Sequence, residues 1–143
     1  MNNLNTLTTS ELSDLIRNGD ISSEELVRAT LDSIQSNDKK INSFITVNKE
    51  DSIKKAKKVD KEMKNNSFEK TFLTGIPILI KDNISTKNVR TTAASKILEN
   101  YIPPYDSFVT KKIIESGGIV IGKGNLDEFA MGSSNETSYF GEV

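Results

Sequence analysis

Lys81 closes the run Gly75-Ile76-Pro77-Ile78-Leu79-Ile80 and is followed at once by Asp82 and Asn83. A lysine leaving an apolar strand has two readings. The ordinary one is a strand-end side chain that carries its ammonium out to water. The chemical one is a general base. Apolar neighbours such as Ile78 and Ile80 would desolvate the ammonium and favour the neutral amine, which takes a proton at neutral pH. Spacing alone favours the ordinary reading.

The rest of the composition narrows the chemistry available. The chain of 143 residues has no histidine and no cysteine. A Ser-His-Asp triad, a histidine base and a thiolate nucleophile are therefore excluded, and the usual transition-metal ligands are missing. Proton transfer is left to carboxylates, lysine, tyrosine or water. For an activated hydroxyl nucleophile the remaining route is serine paired with lysine.

Other candidate groups have simpler explanations. Gly117, Gly122 and Lys123 have the spacing of a phosphate-binding loop. The next residue is Gly124 where that loop needs Ser or Thr, and Ile119-Val120-Ile121 between the glycines reads as buried strand. Asp127 and Glu128 form a carboxylate pair, but they fall where the first turn of a helix is expected, and acidic groups favour that end of the macrodipole. Lys54, Lys55, Lys57 and Lys58 could meet an RNA or a partner; a solvated helix face is the ordinary reading. The overall balance, 19 basic against 20 acidic residues, supplies no field toward nucleic acid.

The elements that must position these groups are legible in outline. Thr8 and Glu11 form a capping box, and Gly19 stops the helix that follows. Ser22 and Glu25 open a second helix that carries Val27, Leu31 and Ile34 and is expected to end at Asn37-Asp38. Ser43–Val47 reads as a short strand. Asp51–Lys64 reads as a helix with Ile53, Ala56, Val59 and Met63 as its buried stripe. Asn65-Asn66-Ser67 reads as a loop, and Leu73–Ile80 as a strand with Pro77 near its start or at an edge. Asp82–Ile102 is a long excursion without a clear period. Asp106 or Ser107 caps a helix ending at Gly117-Gly118, then comes the strand Ile119–Ile121, and Asn125–Glu128 caps a further helix. Helices alternating with short, fully apolar strands predict an α/β fold with a parallel or mixed buried sheet. No apolar run approaches the roughly 18 residues of a membrane span. The polar N-terminus has no secretory signal pattern. A cytoplasmic protein is expected.

Three segments carry a resemblance to a known family. They are LTGIPILIKDNI, TTAASKIL and DSFVTKKIIESGGIVIGKGNLDEFAMGSSNETSYFG. Together with the N-terminal SSEELVRATLDSI they resemble the amidase signature family, and within it the A subunits of glutamyl-tRNA(Gln) amidotransferases. The resemblance runs from about Leu7 to Val143. It implies the N-terminal part of the amidase signature fold, an incomplete α/β domain. Residues 1–66 would be an N-terminal helical region with a short strand, and residues 67–143 the start of the catalytic core with a mixed sheet and flanking helices.

The family works through a Ser–cis-Ser–Lys triad, and the resemblance places its lysine at Lys81. The family's Met-Gly-Ser segment beside the substrate maps onto Met131, Gly132 and Ser133. Both triad serines belong to a Gly/Ser-rich stretch downstream of SYFG, beyond Val143; Ser133 and Ser134 are not those serines. The expected activity of the parent is hydrolysis of glutamine to supply ammonia for converting Glu-tRNA(Gln) to Gln-tRNA(Gln). The implied partners are B and C subunits. ATP and magnesium are expected on the B subunit, with no cofactor in this chain. The chain alone is expected to be inactive. The alternatives are part of a stand-alone amidase and a truncated, non-catalytic product. The resemblance leaves open whether Asp-tRNA(Asn) is a second substrate.

Overall fold

A computed structural model describes residues 4–65 and 70–143. Asn66 and Ser67 of the expected loop, and with them the expected boundary between the two regions, lie outside the described residues.

Local signals set the helices. Helix α1, Thr9–Asn18, starts on the reciprocal Thr8–Glu11 capping box and ends on Gly19 at φ 82°. Helix α2, Ser23–Ile41, is capped by the Ser22 side chain. It runs past Asn37-Asp38, the expected stop. There Asn37 Nδ2 donates to Ser33 O within the helix. The Asp38 carboxylate reaches forward instead, accepting from Ser43 N and Phe44 N. These side chains satisfy themselves locally without breaking the backbone ladder. The stop is Asn42, in the left-handed region at φ 58°. Helix α3, Lys49–Lys64, buries Ala56, with Ile53, Val59 and Met63 partly buried. On its outer face, Lys55, Lys57 and Lys58 meet Asp51, Glu24 and Glu62.

Among the described residues, three strands form one mixed sheet in the order β1-β3-β2. Strand β1, Phe44–Val47, runs antiparallel to β3, Ile119–Gly124. Strand β2, Pro77–Lys81, runs parallel to β3 with Lys81 opposite Gly124. Strand β2 is shorter than its apolar run. Leu73 and Thr74 belong to a turn closed by Thr71 and Thr74, and Gly75 at φ 79° redirects the chain into the strand. A Cβ on Gly75 would lie 2.9 Å from Ser23 Cβ, so only glycine lets α2 sit this close.

Strand β3 is buried along its whole length. Ile119 and Ile121 pack on Val27, Leu31 and Ala56 of α2 and α3. A second cluster joins Ile16, Leu26 and Ile76. Helix α4, Phe108–Glu115, is capped by Ser107, which accepts from Thr110 N. The helix expected after Asn125 does not form. Only a single 3-10 turn, Glu128–Ala130, stands there, and Phe129 within it takes φ 53°. The Asp127 side chain does not cap that turn and is engaged elsewhere. Ile97, Ile102, Phe108 and Val109 stay exposed. No helix among the described residues is long and apolar enough to cross a membrane.

Candidate active site

Because β2 and β3 are parallel, their carboxyl ends lie side by side. That edge is where open α/β sheets place ligands. Lys81 stands there, exposed, at the end of β2. The chain leaving β3 curls back in front of it. The result is an open cleft of about 450 Å³ lined by Lys81, Asn125, Asp127, Gly132, Ser133 and Asn135. The structure thus brings Lys81 together with Gly132 and Ser133. Met131, the third residue expected beside them, does not line the cleft and is 82% exposed. Lys81 is exposed, as the ordinary reading of a strand-end lysine has it, and Ile78 and Ile80 do not bury it.

The lysine that is desolvated is Lys123, in the middle of the sheet. Its side chain and that of Asp82 are both 0% exposed, with Nζ 3.7 Å from Asp82 Oδ1. Lys123 Nζ donates to Ile84 O at 2.6 Å and to Thr91 Oγ1 at 2.9 Å. Burial pulls its pKa down to about 8, while Asp82 pushes it back up. From the sequence, Lys123 had only the spacing of a phosphate-loop lysine to mark it. A further signal lies in Gly122-Lys123-Gly124: a lysine inside a fully apolar strand is almost never buried unpaired, and so requires an acid nearby.

Asp82 directly follows Lys81 and organises the excursion after it. Its carboxylate accepts from Thr92 N and Thr92 Oγ1, and its carbonyl accepts from Ala93 N. Ala93 and Ala94, at φ 50° and 55°, then accept through their carbonyls from Phe129 N and Tyr139 N. The chain after Lys81 therefore carries the loop that faces Lys81. Asn125 straps the far end of that loop, donating to Asn42 O and Gly141 O and accepting from Ser138 Oγ. Arg90 ties the excursion to β1 through Ile45 O and Thr46 Oγ1.

Asp127 is not a first-turn carboxylate. It is 7% exposed and accepts from Asn135 N, Thr137 N and Thr137 Oγ1. Those bonds, the one from Asn135 N foremost, hold its carboxyl below the usual value of 3.8. Among the described residues no cluster of His, Cys, Asp and Glu could hold a metal ion.

The A subunit of the glutamyl-tRNA(Gln) amidotransferase of Prochlorococcus marinus (strain NATL2A) is 49% identical over 135 residues, covering 94% of this chain and 28% of that protein. The crystal structure of the corresponding A subunit from Thermotoga maritima superposes with a TM-score of 0.76 at 38% identity, over 96% of this chain and 27% of that one. Native peptide amidase from Stenotrophomonas maltophilia superposes with a TM-score of 0.85 at 28% identity, over 96% of this chain and 29% of that one. The chain thus spans less than a third of the length of the relatives it matches. The sequence profile of the amidase family matches residues 25–143, and the chain belongs to that family.

Proposed function

We propose that this chain supplies the N-terminal part of the A subunit of a glutamyl-tRNA(Gln) amidotransferase. In that reading Lys81 is the base of the glutaminase site and the Gly132–Ser133 segment lies along the substrate. The observation that carries it is the cleft in which Lys81, from β2, meets Gly132 and Ser133, from the loop after β3. The relatives bearing that subunit's name stand at 45–49% identity among the curated matches.

The chemistry follows from the groups present and the two serines expected beyond Val143. The Lys81 amine takes a proton from a bridging serine, which takes one from the nucleophilic serine. The nucleophile attacks the glutamine carboxamide carbon, the C–N bond breaks, and ammonia leaves with a returned proton. Water then releases glutamate from the acyl-enzyme. Base action needs the neutral amine, which desolvation favours. Lys81 is exposed here, so elements closing over the cleft would have to supply that desolvation. The chain alone, without the serines, would hydrolyse no glutamine.

ATP and magnesium are assigned to the B subunit. The phosphate-loop spacing of Gly117–Lys123 gives no support for placing them in this chain, because the stretch is largely buried strand and its lysine is bound to Ile84, Thr91 and Asp82. The C subunit completes the assembly, which acts on Glu-tRNA(Gln).

A second reading, part of a stand-alone amidase, is favoured by the superposition on peptide amidase. The test is reconstitution. The whole A subunit, assayed with B and C subunits, should convert Glu-tRNA(Gln) to Gln-tRNA(Gln) using glutamine and ATP. Hydrolysis of simple amides without partners, and no gain when they are added, would replace this reading by the second.

A further inference from the structure

The loop from Glu128 to Thr137 is held in an unfavourable shape. Phe129, Ala130 and Asn135 all lie in the left-handed region, at φ 53°, 60° and 60°. That region is strained for Phe129 and Ala130, whereas asparagine tolerates it. Strained residues persist only where the surroundings over-determine them. Backbone bonds hold the near end, from Phe129 N to Ala93 O and from Ala130 N to Asp127 O, and the Asp127 side chain holds the far end at Asn135.

Its two carboxylate oxygens gather the far side of the loop. Asn135 N donates to Oδ2 at 2.8 Å, and Thr137 N and Oγ1 donate to Oδ1 at 3.2 and 3.0 Å. The same Thr137 hydroxyl accepts from Glu128 N at 3.1 Å, closing the loop on itself. The near side rests on the carboxylate too. A Cβ on Gly132 would collide with Asp127 Cγ, so the Gly132 backbone is in contact with that group. Asn135, which also lines the cleft, keeps Nδ2 and Oδ1 buried without hydrogen-bond partners. Such groups are costly, so the loop holds Asn135 there against a penalty.

We propose that Asp127 is a positioning residue for the amidase reaction: its carboxylate fixes the 128–137 loop so that Gly132 and Ser133 face Lys81, and thereby sets the affinity for the amide substrate. The substrate named is the glutamine of the proposed function, on which this inference rests. Charge is essential to the role. A carboxylate accepts all three donors at once, whereas an amide in its place keeps one acceptor oxygen and turns its NH2 toward the donor on the other side.

The experiment uses the whole A subunit in its complex and compares wild type with Asp127→Asn and Thr137→Val. Glutamine hydrolysis gives KM and kcat, and backbone hydrogen exchange over residues 128–137 reads the loop directly. Asp127→Asn should lower kcat/KM for glutamine by about 10- to 100-fold, with KM raised, the scale of a reactant misplaced by about 1 Å. Exchange in the loop should quicken while exchange in β3 stays as in wild type. Thr137→Val, which removes the hydroxyl that donates to Asp127 and accepts from Glu128 N while keeping the shape, should give a several-fold rise in KM even if Asp127→Asn does not fold. Wild-type KM and wild-type loop exchange in either folded variant would overturn the inference. If wild type hydrolyses no glutamine, the amidotransferase reading falls. Exchange then decides for Asp127: unchanged loop exchange in Asp127→Asn overturns its positioning role, and quickened exchange upholds it.

Discussion

Lys123 Nζ lies 3.7 Å from Asp82 Oδ1, and neither side chain has any exposed surface. This pair joins the central strand to the residue that follows Lys81. It holds the excursion at two places, because Lys123 reaches Ile84 and Thr91 while Asp82 reaches Thr92.

Removing the lysine leaves a buried carboxylate without its counter-charge. Lys123→Met should therefore lower the unfolding free energy by about 3–5 kcal/mol. Adding Asp82→Asn to that variant should restore part of the loss, since the uncompensated charge is gone. Urea unfolding of the two single variants and the double variant measures the coupling. A loss in the double variant equal to the sum of the two single losses would mean that the two side chains do not interact.

Gly122 marks how closely β1 crosses β3. A Cβ there would stand 2.5 Å from Thr46 O and 2.8 Å from Phe44 Cδ1. The nearest atom is backbone, which cannot swing aside. Gly122→Ala should cost roughly 1–3 kcal/mol, as overpacking does. The urea midpoint should fall with its slope unchanged.

Asp127 makes the loop acid-sensitive. Its carboxyl is held below 3.8 by the N–H of Asn135 and then by the Thr137 donors. The folded state thus binds the proton more weakly than the unfolded chain. The contribution is complete above the ordinary carboxylate value and is lost as pH falls through the depressed one. Protection factors of the Asn135 and Thr137 amides should be constant through neutral pH and drop in acid, below about pH 4. In Asp127→Asn that acid step should be absent.

Much of the fold could be read from neighbours in sequence. The Thr8–Glu11 box, the Gly19 stop and the Ser107 cap are contacts within a few residues, so local chemistry reports them. The burial of β3 was legible from a strand without polar alternation, whereas β1 and most of β2, expected to be buried too, stay partly open. The misses share a cause. Helix α2 outruns Asn37-Asp38 because the Asp38 carboxylate bonds the chain ahead. The helix after Asn125 fails because Asp127 gives its carboxylate to Asn135 and Thr137. Lys123 resembled a phosphate-loop lysine because Asp82, the group that explains its burial, is distant in sequence. Lys81 could be placed at a strand end from the sequence, whereas its neighbours in the cleft came only through the family resemblance and the folded loop.

One substitution separates Lys81 as a base from Lys81 as a structural residue. In the whole A subunit, joined to its B and C partners, Lys81→Ala should abolish amidation of Glu-tRNA(Gln) driven by glutamine. Amidation driven by free ammonium should continue at the wild-type rate, since that route needs no glutaminase. Retained glutamine-driven amidation would contradict the assignment of Lys81 as base, and loss of both activities would make it a structural residue.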